Sequence, residues 1–261
     1  MSPGIFNLSE RYDTDLTPAH YTFTIWAVIY WWQLIWLVYA IVSIFRKGAE
    51  GPLYRSPVLL PPVFFIFFTI ANILNITRFF LWDMENLIAT FLLLLFVAVT
   101  LYICIGISMI YLKGNLELLE KIGLYQEKWY IWIGVQNGLA VYATWVTAET
   151  ALNFAISLQY YSGVIRSTSG TVALSTLLFL FTIWTLFDIL FLDKYTRYLF
   201  MPYFTLIWVF VGILVEDCCF RYSVANEVLV IATLGIVSFL AVVKLLVLFN
   251  RHYKRPILHP F

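Results

Sequence analysis

The groups able to do chemistry in this chain are polar side chains set among tryptophans inside long apolar stretches. Three of these stretches carry a stripe of them at helical spacing. The first reads Thr22, Trp26, Ile29, Gln33 and Trp36. In the second, Asn72, Asn75 and Trp82 share a face, with Phe79 between them and Arg78 close by. The fourth reads Gly138, Tyr142, Trp145, Glu149 and Asn153. Amides and carboxyls turned towards lipid would stay unsatisfied, so the three faces are expected to point at one another. Two compatible uses follow. The stripes can be interhelical glue, worth about 1 kcal/mol or less per contact. They can also wall an aromatic pocket in which amide and carboxyl groups orient a greasy ligand. Membrane proteins usually keep Trp at the water interfaces, so Trp26, Trp31, Trp32, Trp36, Trp145, Trp184 and Trp208, deep in apolar stretches, ask for one of these explanations.

Glu149 lies past the middle of its stretch and needs a partner; Arg78, or His20 at the mouth of the first stretch, stands at a matching depth. Asp188 and Lys244 both fall near the ends of their stretches, where an ion pair or snorkelling accounts for them. Cys104 reads as a small packing residue, and the adjacent Cys218 and Cys219 have no His or Cys at metal-ligand spacing. There is no phosphate-cradling glycine loop and no His-Glu-x-x-His, and the three histidines are dispersed, so the chain reads as a non-enzyme without metal or catalytic residues. The basic residues follow the membrane boundary rather than forming a patch with interleaved aromatics, which argues against nucleic acid.

The elements that position these groups follow from composition. Hydrophobic residues make up 62% of the 261 and charged residues 12%, outside the soluble range. Seven segments, near 18–45, 57–82, 87–112, 129–159, 172–192, 198–216 and 226–249, are long enough to cross a bilayer, which takes about 20 helical residues. Runs such as Phe91 to Val97 do not alternate, so a barrel is excluded and the fold class is an all-α integral membrane protein, a seven-transmembrane-helix bundle. Gly134 and Gly138 give the small-xxx-small spacing of close helix approach, expected inside the bundle, with a homodimer as the other use.

Of the 16 Lys and Arg residues, Arg11, Arg78, Arg166 and Arg221 fall on one side, eleven fall on the other, and Lys244 lies within the last span. The positive-inside rule then gives an outside tail over 1–17, a transmembrane domain over 18–249 and a cytoplasmic tail over 250–261. Met1 to Thr17 has no basic n-region, so the first span is expected to be its own insertion signal. The sequon at Asn7 would be reachable by a glycan in the plasma membrane or another secretory-pathway membrane.

Thr17-Pro18-Ala19-His20-Tyr21-Thr22-Phe23-Thr24-Ile25-Trp26, followed by Ile29-Tyr30, resembles the Pro…Phe…Trp…Leu/Ile-Tyr signature of the TspO/MBR family, the tryptophan-rich sensory or translocator proteins. Tyr142-x-x-Trp145 with Leu152-Asn153 is similar to that family's Tyr-x-x-Trp…Leu-Asn helix, and Asn75 resembles the Asn of its middle helix. The likeness covers roughly 17–153. The usual member has five helices, one of them ahead of the Pro…Trp segment. Here there is none ahead and three more follow. Glu149 stands where a small apolar residue is usual, Val141 replaces a Pro, and Arg78 replaces a Trp.

The resemblance implies a TspO-like core around a pocket for a tetrapyrrole or sterol-like ligand, lined by Trp26, Tyr30, Asn75, Tyr142, Trp145 and Asn153, to which the polar stripes add Gln33, Asn72 and Glu149. An ionised Glu149 would disfavour anionic ligands, tetrapyrroles among them. The expected partners are the lipid bilayer and a hydrophobic small molecule, in a sensor or a carrier. The alternatives are a secondary transporter moving protons through Glu149 and an orphan seven-helix receptor. The first would be expected to show paired halves, and the second lacks an acidic-Arg-Tyr triplet and Asn-Pro-x-x-Tyr.

Overall fold

Apolar runs with few breakers fold here as helices, because only a helix satisfies its own backbone in hydrocarbon. The computed structural model describes residues 12–48, 51–52, 56–217 and 223–254. A 3-10 turn, His20–Thr24, leads into α1, Ile25–Phe45. A two-residue ribbon pairs Lys47–Gly48 with Gly51–Pro52 before α2, Pro62–Asp83, which starts with proline in its first turn where no N–H is needed. A tight turn, with Glu85 at φ 56°, reverses the chain into α3, Leu87–Lys121. The Asn86 side chain caps that helix by accepting from the Ala89 N–H at 3.2 Å.

The fourth span is composite: a short turn Glu127–Trp129, a π-helical stretch Tyr130–Asn137 and then α4, Gly138–Tyr160. Next come α5, Arg166–Leu190, a short turn Asp193–Thr196, α6, Met201–Asp217, and α7, Val224–Lys254. Five of these helices are each long and apolar enough to cross a membrane. With the composite fourth and the shorter sixth they make the seven-helix bundle.

Helix α4 is its axis. It packs on α1 and α3 on one side and on α5 and α6 on the other, with α2 against α3 and α7 closing on α5 and α6. Sixteen of its 23 residues are buried, whereas α1 buries only four of its 21. The other helices turn Trp31, Ile35, Ile66, Phe96, Phe179 and Phe239 outward, the apolar surface that a bilayer covers.

Gly134 and Gly138 are used inside the bundle. A Cβ on Gly138 would stand 2.6 Å from the Trp32 ring, and Gly134 faces Trp36 at 3.9 Å. The α3 helix runs nine residues past the expected 112, because Leu116 and Leu119 remain buried although charged neighbours mark the end of the membrane. In α2 the buried stripe is Phe64, Phe68, Ala71, Asn75 and Arg78; Asn72 lies on its flank.

Candidate ligand site

The start of α1, the end of α2 and the middle of α4 converge on one carboxylate. Glu149, on the axial helix and 7% exposed, accepts at Oε1 from the Trp145 indole N–H at 2.9 Å and from the Trp26 indole N–H at 3.3 Å. Trp145 is one turn back on the same helix, so only Trp26 ties α1 to α4 here. From α2, the Arg78 Nη2 stands 3.1 Å from Glu149 Oε2, and Arg78 Nε donates to Asn75 Oδ1 at 2.8 Å. Spacing of three along α2 puts Asn75 beneath Arg78 and so aims the guanidinium across the gap.

Aromatic rings enclose the pair. The Arg78 guanidinium lies 4.3 Å from the Phe79 centroid and 5.5 Å from that of Trp26, within cation–π range. Trp26 stacks on Tyr30 at 5.4 Å and meets Tyr142 and Trp145 edge-on at 5.8 and 6.4 Å. Phe23 closes on Trp145 at 5.7 Å. The rings fill the space with one another. A cavity of about 30 Å³ adjoins Glu149, between the start of the described chain, α4, α5 and α6. That is room for about one water.

Two polar atoms in the cluster lack a hydrogen bond of good geometry, Glu149 Oε2 and the fully buried Tyr142 hydroxyl. A guanidinium offers five N–H donors. The arrangement therefore presents a charge-neutral patch with donors to spare, in a wall of rings whose outer member, Tyr30, is half exposed on the lipid flank of α1. Such a patch can hold the polar end of an otherwise apolar molecule; it presents no nucleophile–base pair.

The structure thus brings Trp26, Tyr30, Asn75, Tyr142, Trp145 and Glu149 together. Gln33 is elsewhere. It donates to the Gly138 carbonyl at 3.0 Å and accepts from the Trp36 indole at 2.7 Å, a satisfied knot nearer the middle of the bundle. Asn72 and Asn153 each donate to a carbonyl one turn back on their own helix, Phe68 at 2.7 Å and Glu149 at 2.9 Å. Asn7, Cys218 and Cys219 lie outside the described residues. Arg78 joins the site as the partner of Glu149. The signal for it was its place three residues after Asn75 and at the depth of Glu149.

A second buried ion pair stands at the opposite end of the bundle. Lys244 Nζ of α7 reaches Asp188 Oδ1 of α5 at 2.6 Å and the Thr196 carbonyl at 3.0 Å, while the Tyr203 hydroxyl of α6 donates to Asp188 Oδ2 at 2.7 Å. Both Asp188 carboxylate oxygens are engaged, by Lys244 of α7 and Tyr203 of α6, which marks this cluster as the lock of α5, α6 and α7.

Comparison with known proteins gives a family and nothing nearer. No curated protein and no solved structure matches the chain. A family model described as TSPO-like protein matches residues 3–247, which takes in all seven helices bar the last few residues of α7. By that match the chain belongs to the TSPO-like protein family.

Proposed function

We propose that this TSPO-like membrane protein binds a hydrophobic ligand with a single uncharged polar end, of sterol-like chemistry, between α1, α2 and α4, and acts as a sensor or carrier of it. The observation that carries the reading is the Arg78–Glu149 pair inside the rings of Trp26, Tyr30, Tyr142 and Trp145. Its spare donors suit a hydroxyl or carbonyl, and its zero net charge offers nothing to a pair of carboxylates. Small-molecule pockets run from about 300 to 1,000 Å³, whereas the rings of Trp26, Tyr30, Tyr142 and Trp145 fill the space here with one another, so the site stands closed. Entry from the lipid side needs Tyr30 and Trp26 to swing outward, which their partial exposure on α1 favours. A tetrapyrrole carrying two acidic groups therefore fits these residues poorly. The salt bridge also favours Glu149 as a fixed polar floor over a proton carrier. By the positive-inside rule the site lies in the outer leaflet, with the N-terminus outside and the C-terminus cytoplasmic.

The test is the anisotropy of a fluorescent sterol titrated with protein in nanodiscs, with protoporphyrin IX as the comparison. Saturable sterol binding, weakened about tenfold or more in a folded Trp145→Phe variant, is expected. Equal affinity in that variant, or saturable binding of the porphyrin alone, would overturn the reading.

A further inference from the structure

At the end of the bundle away from Glu149, α1 and the segment leading into α2 part to leave a groove of about 480 Å³. Ala40 and Ile44 of α1, Val58, Leu60 and Phe65 form its walls, and Ile131 of the π-helical stretch is its floor. Its volume lies in the range of about 300 to 1,000 Å³ typical of small-molecule sites. The two polar side chains on it are already satisfied. The Tyr39 hydroxyl donates to Glu127 Oε2 at 2.6 Å, and the Ser43 hydroxyl donates to the Ala40 carbonyl at 2.6 Å. Nothing in the lining therefore calls for a polar ligand. The groove opens beside Ile41, Ile44 and Phe45, which are exposed on the lipid flank.

Charge stands close by. Arg46, two residues beyond Ile44 at the end of α1, shares Glu127 with the lining Tyr39, with Nη2 on Glu127 Oε1 at 2.7 Å and its side chain still 42% exposed, and Lys47 follows it in the chain. A cation over an apolar slot at a membrane boundary complements one kind of molecule: an acyl chain below a phosphate. We propose that this groove is a binding site for one anionic phospholipid, its acyl chain between α1 and the start of α2 and its phosphate at Arg46.

The experiment is cross-linking in nanodiscs with phosphatidylglycerol bearing a photoreactive group midway along one acyl chain, followed by peptide mapping. Adducts are expected to concentrate on residues 39–44 and 57–65. Ala40→Trp, which fills the groove, should cut them at least fivefold. Ile41→Trp, one residue round on the lipid face, should leave them unchanged. Phosphatidylglycerol should label the groove about fivefold better than phosphatidylcholine, the effect of roughly one basic residue near an anionic head. Adducts spread evenly over the exposed faces of α1 and α7, or equal losses in both Trp variants, would overturn the site; equal labelling by the two lipids would overturn the part given to Arg46. Should Ala40→Trp fail to fold, Ile44→Phe at the open rim gives the same reading.

Discussion

Arg78 of α2 and Glu149 of α4 stand 3.1 Å apart at 9% and 7% exposure, so the two side chains that depart most from the pattern the chain resembles are each other's counter-charge. Either alone would be a charge stranded in the bundle. Together they convert a wall of rings into a neutral, donor-rich patch.

Breaking this pair should cost more than removing it. Arg78→Met or Glu149→Leu alone leaves a buried unpaired charge and is expected to destabilise by about 3–5 kcal/mol, whereas the double variant should lie closer to wild type than either single one. Thermal unfolding of the four proteins in one detergent measures this. Additive losses would mean that the two side chains do not interact.

Two glycines should respond with opposite signs. A Cβ on Gly212 would run into the buried side chain of Thr22, a residue whose backbone carbonyl accepts from the Trp208 indole at 3.0 Å. Gly212→Ala should therefore lower stability by about 1–3 kcal/mol. Gly106, in α3, has open space at that position, and Gly106→Ala should raise stability by about 0.5–1 kcal/mol through the lower entropy of the unfolded chain. A melting temperature unchanged or raised by Gly212→Ala would contradict the packing there, and one lowered by Gly106→Ala would contradict the open space in α3.

At the other end of the bundle, Lys244→Met should destabilise by about 3–5 kcal/mol, because it takes away the counter-charge of Asp188 and leaves the Tyr203 hydroxyl as its side-chain partner among the described residues. Adding Asp188→Asn should recover much of that loss. Limited proteolysis between α5 and α6 gives a local readout; cleavage unaffected by Lys244→Met would argue that the pair locks nothing.

Asp193 makes a pH prediction. Burial pushes its carboxyl up, but Arg197 at 2.7 Å and Arg251 at 2.8 Å outweigh this and hold it below its ordinary value. A carboxyl lowered in the folded state adds stability above its unfolded value of about 3.9, and that stability is lost as the pH falls through the folded value. Wild type should out-melt Asp193→Asn near neutral pH and lose the advantage in acid. A gap that stays constant with pH would show that charge is not its source.

Orientation is testable at Asn7. With the N-terminus outside, expression in a secretory-pathway membrane should add one glycan, removed by glycosidase and absent in Asn7→Gln. A glycan accepted only at a sequon appended to the C-terminus would reverse the topology.

Much of this arrangement was legible because hydrocarbon tolerates few polar groups. The stripe Tyr142, Trp145 and Glu149 could be read from spacing alone, and all three are buried. Asp188 and Lys244 could be seen as a candidate pair, and they meet at 2.6 Å. Partner choice was harder. Whether Glu149 would meet Arg78 or His20 depends on the vertical register between helices, which no single helix encodes. Asn72 and Asn75 looked equivalent, but a shift of the buried face by one position gives Asn75 to the site and leaves Asn72 to its own backbone. The π-helical stretch carried no signal in the residues. Its widened turns bring Asn137 round to donate to the Tyr198 carbonyl at 2.7 Å and accept from the Phe200 and Met201 N–H groups at 3.1 and 3.2 Å, tying the axial helix to the start of α6.

The two buried ion pairs also impose an order on biogenesis. In each pair the partners lie on non-adjacent helices, Arg78 on α2 with Glu149 on α4 and Asp188 on α5 with Lys244 on α7. A charged side chain leaving the translocon alone partitions poorly into lipid. The nascent α2 must therefore wait, sheltered or only partly inserted, until α4 emerges, and α5 must wait for α7. Release into the bilayer would then come in two steps, a first group ending with α4 and a second completed only by α7.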